Sequence, residues 1–313
     1  MKKPDFFVVG APKCGTTSMC KYLDLHPEIF ISKPKEPNYF CYEVIGKNPQ
    51  SRNLQEYLSL FEDADSKTCG EGSPWNLYSK TAATEIYQLN SNAKIIIMLR
   101  NPVDFLYSLH SHHIVYSHEN IFDFKSALEA ESDRKLGAKI PSTCHVPTQL
   151  LYSEVAQFST QVQRYLNVFG RDKVKIIIFD DFKINTAQVY QEILEFLGVD
   201  TSFDPDFLVH NSNKQVSNPS LYQFFNKPPS WMFEYAKAIT PNFLYPLKRK
   251  IASTIRITMR SLLSKNKKRV PLNPKMRDYL IKQYTPEVEL LSQLINRDLN
   301  HWINCNHDTV ISS

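Results

Sequence analysis

The chain has 313 residues, of which 42% are hydrophobic and 22% charged, with a formal net charge of +5. This length can bury a full core, as one large domain or two small ones, and the composition excludes wholesale disorder. The six cysteines are scattered without a C-x-x-C pair, which argues against a zinc site and a disulfide framework and favours a reducing compartment.

Targeting signals are not indicated. The apolar run after Lys2-Lys3 is too short for a signal peptide and ends in Pro12-Lys13. No segment approaches the ~20 apolar residues of a membrane span. We therefore expect a cytoplasmic protein, with contact to a membrane surface as an additional option that depends on a basic segment near the C-terminus.

The predicted elements alternate between short apolar strands and helices. Phe6 to Gly10 is typical of a buried strand, and a helix is predicted over Thr16 to Leu25. Strand-and-helix alternation predicts an α/β fold with a doubly wound parallel sheet. The other predicted elements are a strand or turn over 28–31, a loop over 33–37, helices over 54–61 and 81–89, strands over 68–71 and 94–99, helices over 103–116, 122–131 and 149–169, a strand over 174–179, and helices over 186–197, 273–283 and 286–302.

The turn after the first strand predicts a phosphate site. Gly10 and Gly15 have the spacing of the triphosphate loop G-x-x-x-x-G-K-[ST], but Thr16 stands where that loop has its lysine. The only cation of the turn is Lys13, inside it. Backbone N–H groups and hydroxyls at the start of a helix bind anions. We therefore expect a phosphate here whose carrier is not an ordinary triphosphate.

A second anion site is predicted at the end of the KIIIML strand. In an open parallel sheet, ligands lie beyond the carboxyl ends of the strands. A nucleotide triphosphatase needs an acidic residue there for Mg²⁺, whereas this strand ends in Arg100, with Ser108 eight residues on. Two anion sites indicate a nucleotide with phosphates at both ends. The alternative for Arg100 is an ion pair that covers the end of the sheet.

Three other groups allow competing interpretations. Asp180-Asp181 can hold a metal in a P-loop kinase or triphosphatase, or can form a turn and helix cap, which we favour. Cys14 is either a nucleophile or, as we favour, a small residue that a tight turn tolerates. His110 and His113 share a helix face as a metal pair would, but nearby partners are lacking, and structural histidines are the favoured interpretation.

The two anion motifs, in this order, resemble those of sulfotransferases that use 3′-phosphoadenosine-5′-phosphosulfate (PAPS). The chain is closest to the bacterial type that resembles heparan sulfate and carbohydrate sulfotransferases. The resemblance extends over nearly the whole chain. Its segments are Phe7 to Ser18, Ile96 to Ser108, Gly70 to Pro74, Tyr152 to Gly170, and Tyr284 to Trp302.

The resemblance implies a three-layer P-loop-like fold with a central parallel sheet and a helical C-terminal extension. Residues 1–210 would form the core with the donor motifs, and residues 211–313 a nucleotide-covering loop and helices packed on it, as a single domain overall. The implied activity is transfer of a sulfuryl group from PAPS to a hydroxyl of a carbohydrate, glycolipid or other glycoconjugate. An amine is the alternative acceptor. Neither a metal nor a nucleic acid is expected to take part, and the product is 3′,5′-adenosine bisphosphate (PAP).

The resemblance also assigns the donor contacts. Lys13 would stabilise the charge that grows on the bridging phosphate oxygen. Arg100 and Ser108 would bind the 3′-phosphate, and Lys214 is a weaker candidate for the same role. The 5′-phosphate would be bound by the loop and the first helical turn, that is by Lys13, Cys14, Gly15, Thr16, Thr17 and Ser18.

Glu36 is the predicted general base, because Glu36-Pro37-Asn38-Tyr39-Phe40 resembles the segment that carries this glutamate in carbohydrate-acting members. The alternative is a solvated loop carboxylate paired with Lys33 or Lys35, and Glu71 is the second candidate base. Heparan-type members often have a lysine after the equivalent of Glu71, where this chain has Gly72. Some contact to donor or acceptor must therefore differ.

A basic segment occupies residues 244–269, with nine Lys or Arg and no Asp or Glu between Lys248 and Arg269. A helix over 244–263 would place its apolar and basic side chains on opposite faces. Such a helix can lie on an anionic membrane surface, present cations to an acidic acceptor, or simply cover the core. The segment also supports the non-enzymatic alternative, a membrane- or polyanion-binding protein. Nucleic-acid-binding signatures are absent.

Overall fold

The computed structural model describes residues 1–207, 214–216, 258, 264–266 and 270–304. A five-stranded parallel sheet with the strand order β2-β3-β1-β4-β5 forms its core. All of β1 and all but the first residue of β4 are buried, as expected of parallel strands covered on both faces. The α/β fold with a parallel sheet is therefore confirmed. The strands are β1 (Phe6–Gly10), β2 (Ile29–Ile31), β3 (Thr68–Glu71), β4 (Lys94–Leu99) and β5 (Val174–Ile178).

Helices connect the strands and flank the sheet. They are α1 (Thr16–Asp24), α2 (Leu54–Ser59), α3 (Ala82–Leu89), α4 (Pro102–Val115), α5 (Phe124–Glu129), α6 (Glu131–Lys135), α7 (Tyr152–Val155), α8 (Phe158–Phe169), α9 (Phe179–Ile184), α10 (Thr186–Leu197) and α11 (Pro274–Ile295). Single 3₁₀ turns cover Pro49–Ser51, Glu62–Ala64, Pro147–Leu150, Arg171–Lys173 and Asn300–Trp302. Two short strands, β6 (Lys214–Val216) and β7 (Ser264–Asn266), pair antiparallel.

The chain divides into two compact units. One comprises residues 1–107, 151–211 and 272–313 and contains the parallel sheet, and the other comprises 108–150 and 212–271. Inside the second unit, the fully buried side chains of Arg134 and Glu119 form a two-bonded ion pair with N–O distances of 2.8 and 2.7 Å. His110 and His113 are also buried there, and burial lowers the pKa of both imidazoles. Their burial agrees with the structural interpretation favoured above.

Three predicted helices differ from those observed. The stretch 149–169 is not one helix, because the chain turns at Ala156 and Gln157 between α7 and α8. The stretches 273–283 and 286–302 are joined, because α11 runs through Pro286. Packing outweighs the proline: Glu287 accepts hydrogen bonds from the backbone N–H and the hydroxyl of Ser159 on α8, at 2.6 and 2.9 Å. The C-terminal helix is thereby attached to the sheet unit.

The order of the strands determines where a ligand can bind. From β1 the chain moves to β2 and β3 on one side of the sheet, and from β4 it moves to β5 on the other. The connections that leave β1 and β4 therefore diverge, which opens a crevice at their carboxyl ends. The glycine turn follows β1 and Arg100 follows β4, so both predicted anion motifs lie at this switch point.

Candidate anion-binding and transfer site

The turn between β1 and α1 is shaped for an anion. Gly15 caps α1 with a left-handed φ of 88° and offers no side chain to the helix N–H groups. The first turn of α1, Thr16 to Ser18, contains no acidic residue. A Cβ on Gly15 would lie 2.9 Å from the ring of Phe179, closer than packing permits. Glycine is thus required here because the φ angle is left-handed and because no space exists for a Cβ. The positive end of the α1 dipole faces the turn.

Cys14 lies inside this turn, with its thiol buried. Its side chain is fully buried, and its thiol donates to the carbonyl of Pro12 over 3.5 Å. Burial raises the pKa of the Cys14 thiol to about 12, although the nearby charges of Arg100 and Lys13 oppose the rise. Burial and the raised pKa both disfavour the reactive thiolate, which agrees with a small turn residue and argues against the nucleophile interpretation. Lys13 itself has a left-handed φ of 63°.

Arg100 approaches the same ring as Gly15. Leu99 pairs with Ile178 in the parallel ladder, so the residues that follow them, Arg100 and Phe179, are neighbours across two strand ends. The guanidinium carbon of Arg100 lies 5.1 Å from the centre of the Phe179 ring, a cation–π contact. No carboxylate among the described residues forms an ion pair with Arg100. The alternative of an ion pair covering the sheet end is therefore not found in this part of the chain.

The remaining predicted donor residues lie on α1, α4 and β6. Thr16 is buried at the start of α1, and Thr17 and Ser18 follow it at half-buried positions. Ser108 is a buried residue of α4. Lys214 is the first residue of β6, and the loop before it lies outside the described residues. The donor contacts of Ser108 and Lys214 stay predictions.

Asp180 and Asp181 bind the C-terminal segment of the chain. They lie in the first turn of α9, where carboxylates stabilise a helix, so the favoured turn interpretation is close to what is observed. Asp180 accepts a hydrogen bond from the indole N–H of Trp302 at 2.7 Å, and Asp181 forms an ion pair with Arg297 at 2.7 Å. Within the described residues, no group of three or more His, Cys, Asp or Glu could hold a metal. Through these two contacts the aspartates attach the segment of Arg297 and Trp302 to the start of α9.

Glu36 lies on the loop after β2 and pairs with Lys35. The Lys35 Nζ and Glu36 Oε1 atoms are 2.7 Å apart, and 41% of the Glu36 side chain is exposed. The Lys35 side chain runs across Gly72, because a Cβ on Gly72 would lie 2.7 Å from Lys35 Cε. The backbone N–H of Gly72 also donates to the Lys35 carbonyl at 3.0 Å. The Lys35 ammonium group thus lies beside Glu36. The Lys35 side chain reaches this position across Gly72, the residue that follows Glu71.

Glu71, the second candidate base, ends β3 and is completely enclosed. Its carboxylate accepts hydrogen bonds from the hydroxyl of Ser73 and, at 3.2 Å, from the amide of Asn76. Burial raises the pKa of Glu71 to about 7, although these hydrogen bonds and the charge of Lys35 act against the rise. Both carboxylate oxygens have partners and none of the side chain is exposed. Glu36 is therefore the better placed of the two to meet an acceptor.

The raised pKa of Glu71 predicts a pH-dependent stability. The folded chain holds the Glu71 proton up to about pH 7, whereas the unfolded chain releases it near pH 4.5. Between these values the folded state binds more protons, so the free energy of unfolding falls as pH rises. The wild type should lose on the order of 3 kcal/mol relative to Glu71→Gln across this window. Urea unfolding of both proteins at pH 5, 6, 7 and 8 measures it. If the difference in unfolding free energy between the two proteins does not depend on pH, this account is contradicted. Glu62→Gln, which changes a surface carboxylate, is the matched control.

Together these features define an α/β protein with a turn shaped for an anion, an arginine at the switch point and a carboxylate–lysine pair beside the neighbouring strand. Residues 3–238 match the family described as the sulfotransferase domain. The chain belongs to the sulfotransferase family.

Solved and curated proteins agree with this family. A sulfotransferase from Alicyclobacillus acidocaldarius is 28% identical, with a TM-score of 0.69 and a match that covers 97% of this chain and 100% of that one. Human carbohydrate sulfotransferase 15 is 22% identical over 80% of this chain and 53% of its own length. The mouse bifunctional heparan sulfate N-deacetylase/N-sulfotransferase 3 is 26% identical over 67% of this chain and 24% of its own. The chain thus spans between a quarter and about half of these two curated relatives.

One of the similar proteins is described as membrane-associated. The membrane-associated sulfotransferase kil1 of Dictyostelium discoideum is 34% identical, over 32% of this chain and 21% of that protein. In the part of the chain that the structure describes, every helix is too short or too polar to cross a membrane. The basic segment 244–269 lies outside the described residues except for residue 258 and the backbone of β7. Its role stays a prediction.

Sequence reasoning missed Phe179 and underrated Lys35. The sequence predicts a strand over 174–179 that ends at Phe179, yet the Phe179 ring contacts Arg100 and closes the space beside Gly15. The signal was available in principle, because Phe179 directly follows a buried strand, as Arg100 does. From the sequence, Lys35 is predicted only as a partner that makes Glu36 an ordinary surface carboxylate.

Proposed function

We propose that this sulfotransferase takes its sulfuryl group from PAPS and transfers it to a hydroxyl of a carbohydrate, glycolipid or other glycoconjugate. An amine is the alternative acceptor. One observation carries the donor assignment: the uncapped start of α1 and the guanidinium of Arg100 flank a single ring, Phe179, at the switch point of the sheet. A donor with phosphates at its 5′ and 3′ positions needs two separate cationic or N–H-rich sites of this kind.

The residues present fit the donor. The turn after β1 and residues Cys14 to Ser18 would bind the 5′-phosphate through backbone N–H groups and hydroxyls, because Gly15 leaves the first N–H groups of α1 without a side-chain cap. Arg100 would bind the 3′-phosphate, with Ser108 and Lys214 as further contacts from the predicted motifs. Residues 211–313 would provide the covering loop and the helical extension. When bound, the donor supplies an activated sulfuryl group whose departure leaves negative charge on the phosphate oxygen.

The chain's own residues supply the rest of the chemistry. Lys13, inside the turn, would stabilise the growing charge, since a cation placed in advance lowers the barrier without reorganising. Glu36 would accept the proton of the acceptor hydroxyl. Lys35 would hold the Glu36 carboxylate in one orientation through their 2.7 Å contact. The enclosed Glu71 would support this loop, because its partner Ser73 accepts a hydrogen bond from the N–H of Asn38 at 2.9 Å.

The experiment that tests the donor site is the affinity of Arg100→Ala for PAP. Loss of a guanidinium–phosphate contact removes about 1.5–3 kcal/mol, so the dissociation constant should rise by roughly 10- to 150-fold. Isothermal titration of PAP into wild type and variant measures this, with Arg171→Ala, on the surface turn before β5, as the control. Wild-type affinity in Arg100→Ala would refute the assignment. Transfer that persists in excess EDTA would exclude a Mg²⁺-dependent kinase or triphosphatase.

A further inference from the structure

A cavity of about 470 Å³ opens beside the proposed base. It lies within the sheet unit, between the loop that carries Glu36 and the segment leading into α2. Asn38 connects it to Glu36, because the Asn38 amide donates to the Glu36 carbonyl at 2.9 Å and the same residue lines the cavity. The donor motifs after β1 and β4 do not line it. The cavity lining includes Asn38, Tyr39, Tyr42, Lys47, Arg52 and Glu56.

The walls of this cavity are rigid and aromatic. The rings of Tyr39 and Tyr57 are stacked with their centres 4.6 Å apart. The guanidinium of Arg52 lies over the ring of Tyr42 at 3.9 Å. Glu85 fixes both residues, since it pairs with Arg52 and accepts a hydrogen bond from the Tyr42 hydroxyl at 3.4 Å. A side chain held in this way loses little entropy when a ligand binds.

Most N–H donors of the Arg52 guanidinium form no hydrogen bond with the described residues. Among the described residues, its only hydrogen bond goes from one terminal nitrogen to Glu85. A guanidinium has five N–H donors in a planar arrangement, so most of them remain available beside the cavity. Arg52 lies on a surface segment and is only part-buried, so these donors can reach a ligand in the cavity. It is suited to a ligand that presents several oxygen atoms.

The charges around the cavity cancel. Lys47 and Arg52 provide cationic donors and Glu56 provides a carboxylate acceptor, while Glu85, outside the lining, neutralises Arg52 through their ion pair. Asn38 and Asn53 add side chains that can both donate and accept. A polyanion would meet as much repulsion as attraction here, whereas hydroxyl groups can accept from the cations and donate to the carboxylates. Apolar ring faces beside such polar groups match the two sides of a sugar ring.

We propose that this cavity binds an uncharged pyranose ring of the acceptor, next to the ring whose hydroxyl reaches Glu36. The proposal rests on the function proposed above and specifies its acceptor as a neutral glycan of at least two rings. Tyr42 and Arg52 are then the residues that determine acceptor specificity. They take no part in donor binding or in the transfer step.

The test is binding of defined glycans to the full chain saturated with PAP. The neutral probes are maltotriose, cellotriose and N-acetylchitotriose, and the anionic probes are hexasaccharides of chondroitin and of desulfated heparin. We expect at least one neutral trisaccharide to bind with an affinity that changes little between low and high salt, because no net charge is neutralised. Tyr42→Ala should weaken that binding by roughly tenfold, near the upper limit for one aromatic contact.

Tyr42→Phe is the matched control, because it keeps the ring under Arg52 and removes only a 3.4 Å hydrogen bond. It should bind the same trisaccharide like the wild type. Arg52→Lys, which keeps the charge but not the planar donors, should weaken binding as Tyr42→Ala does, and PAP affinity in every variant reports correct folding. Binding of anionic probes alone, with a steep salt dependence, would overturn the inference, as would an affinity that Tyr42→Ala leaves unchanged. A wild type that fails to bind PAP would instead refute the proposed function.

Discussion

Glu36→Gln is expected to lower kcat by about 10²–10⁴-fold, the usual contribution of a general base, while PAP binding stays at the wild-type level. Glutamine keeps the size of the side chain and a hydrogen-bond partner for Lys35, but it cannot accept the acceptor proton. Transfer of labelled sulfate to the best glycan acceptor measures kcat, and titration with PAP measures donor binding. The split between the two readouts separates a base from a residue that only positions the donor.

Glu71→Gln is the comparison that makes this result informative. Glu71 is fully buried with both oxygens hydrogen-bonded, so its replacement should change stability and its pH dependence more than turnover. If Glu36→Gln turns over like the wild type while Glu71→Gln is inactive at unchanged PAP affinity, the two roles must be exchanged. If neither variant loses turnover, the base lies outside this loop altogether.

Lys13→Ala is expected to lower kcat by about 10²–10³-fold, the range seen when one preplaced group that stabilises developing charge is removed. Its φ of 63° is as unfavourable for alanine as for lysine, because both have a Cβ. The variant therefore tests the ammonium group without a new backbone cost. Single-turnover transfer from PAPS measures the chemical step directly.

The controls for Lys13 address charge and position separately. Lys13→Arg keeps a cation in the turn and should retain part of the activity, while Lys33→Ala removes an exposed lysine from the loop next to Glu36 and should have little effect. Equal losses in Lys13→Ala and Lys33→Ala would indicate a general effect of positive charge on an anionic donor. A normal kcat in Lys13→Ala would remove this residue from the transfer step.

Much of the fold depends on interactions between residues close in the sequence, and the sequence alone predicted it. The strands β4 and β5 contain the apolar runs Ile95 to Leu99 and Ile176 to Ile178, and the glycine turn before α1 is defined by the spacing of Gly10 and Gly15. These features depend on neighbours within a few residues, through side-chain periodicity and allowed φ angles. The anion motifs could therefore be recognised, and their order indicated the family.

Only the tertiary structure decided how distant residues are paired. Phe179 lies beside Arg100 because of strand register, and Asp180 binds Trp302 across more than a hundred residues. Glu71 became a buried group with a raised pKa only when Ser73, Asn76 and the surrounding core enclosed it. Burial and long-range contact depend on packing, which no local pattern encodes. Interactions between residues close in the sequence determined which elements form, and tertiary packing determined which of their side chains share a site.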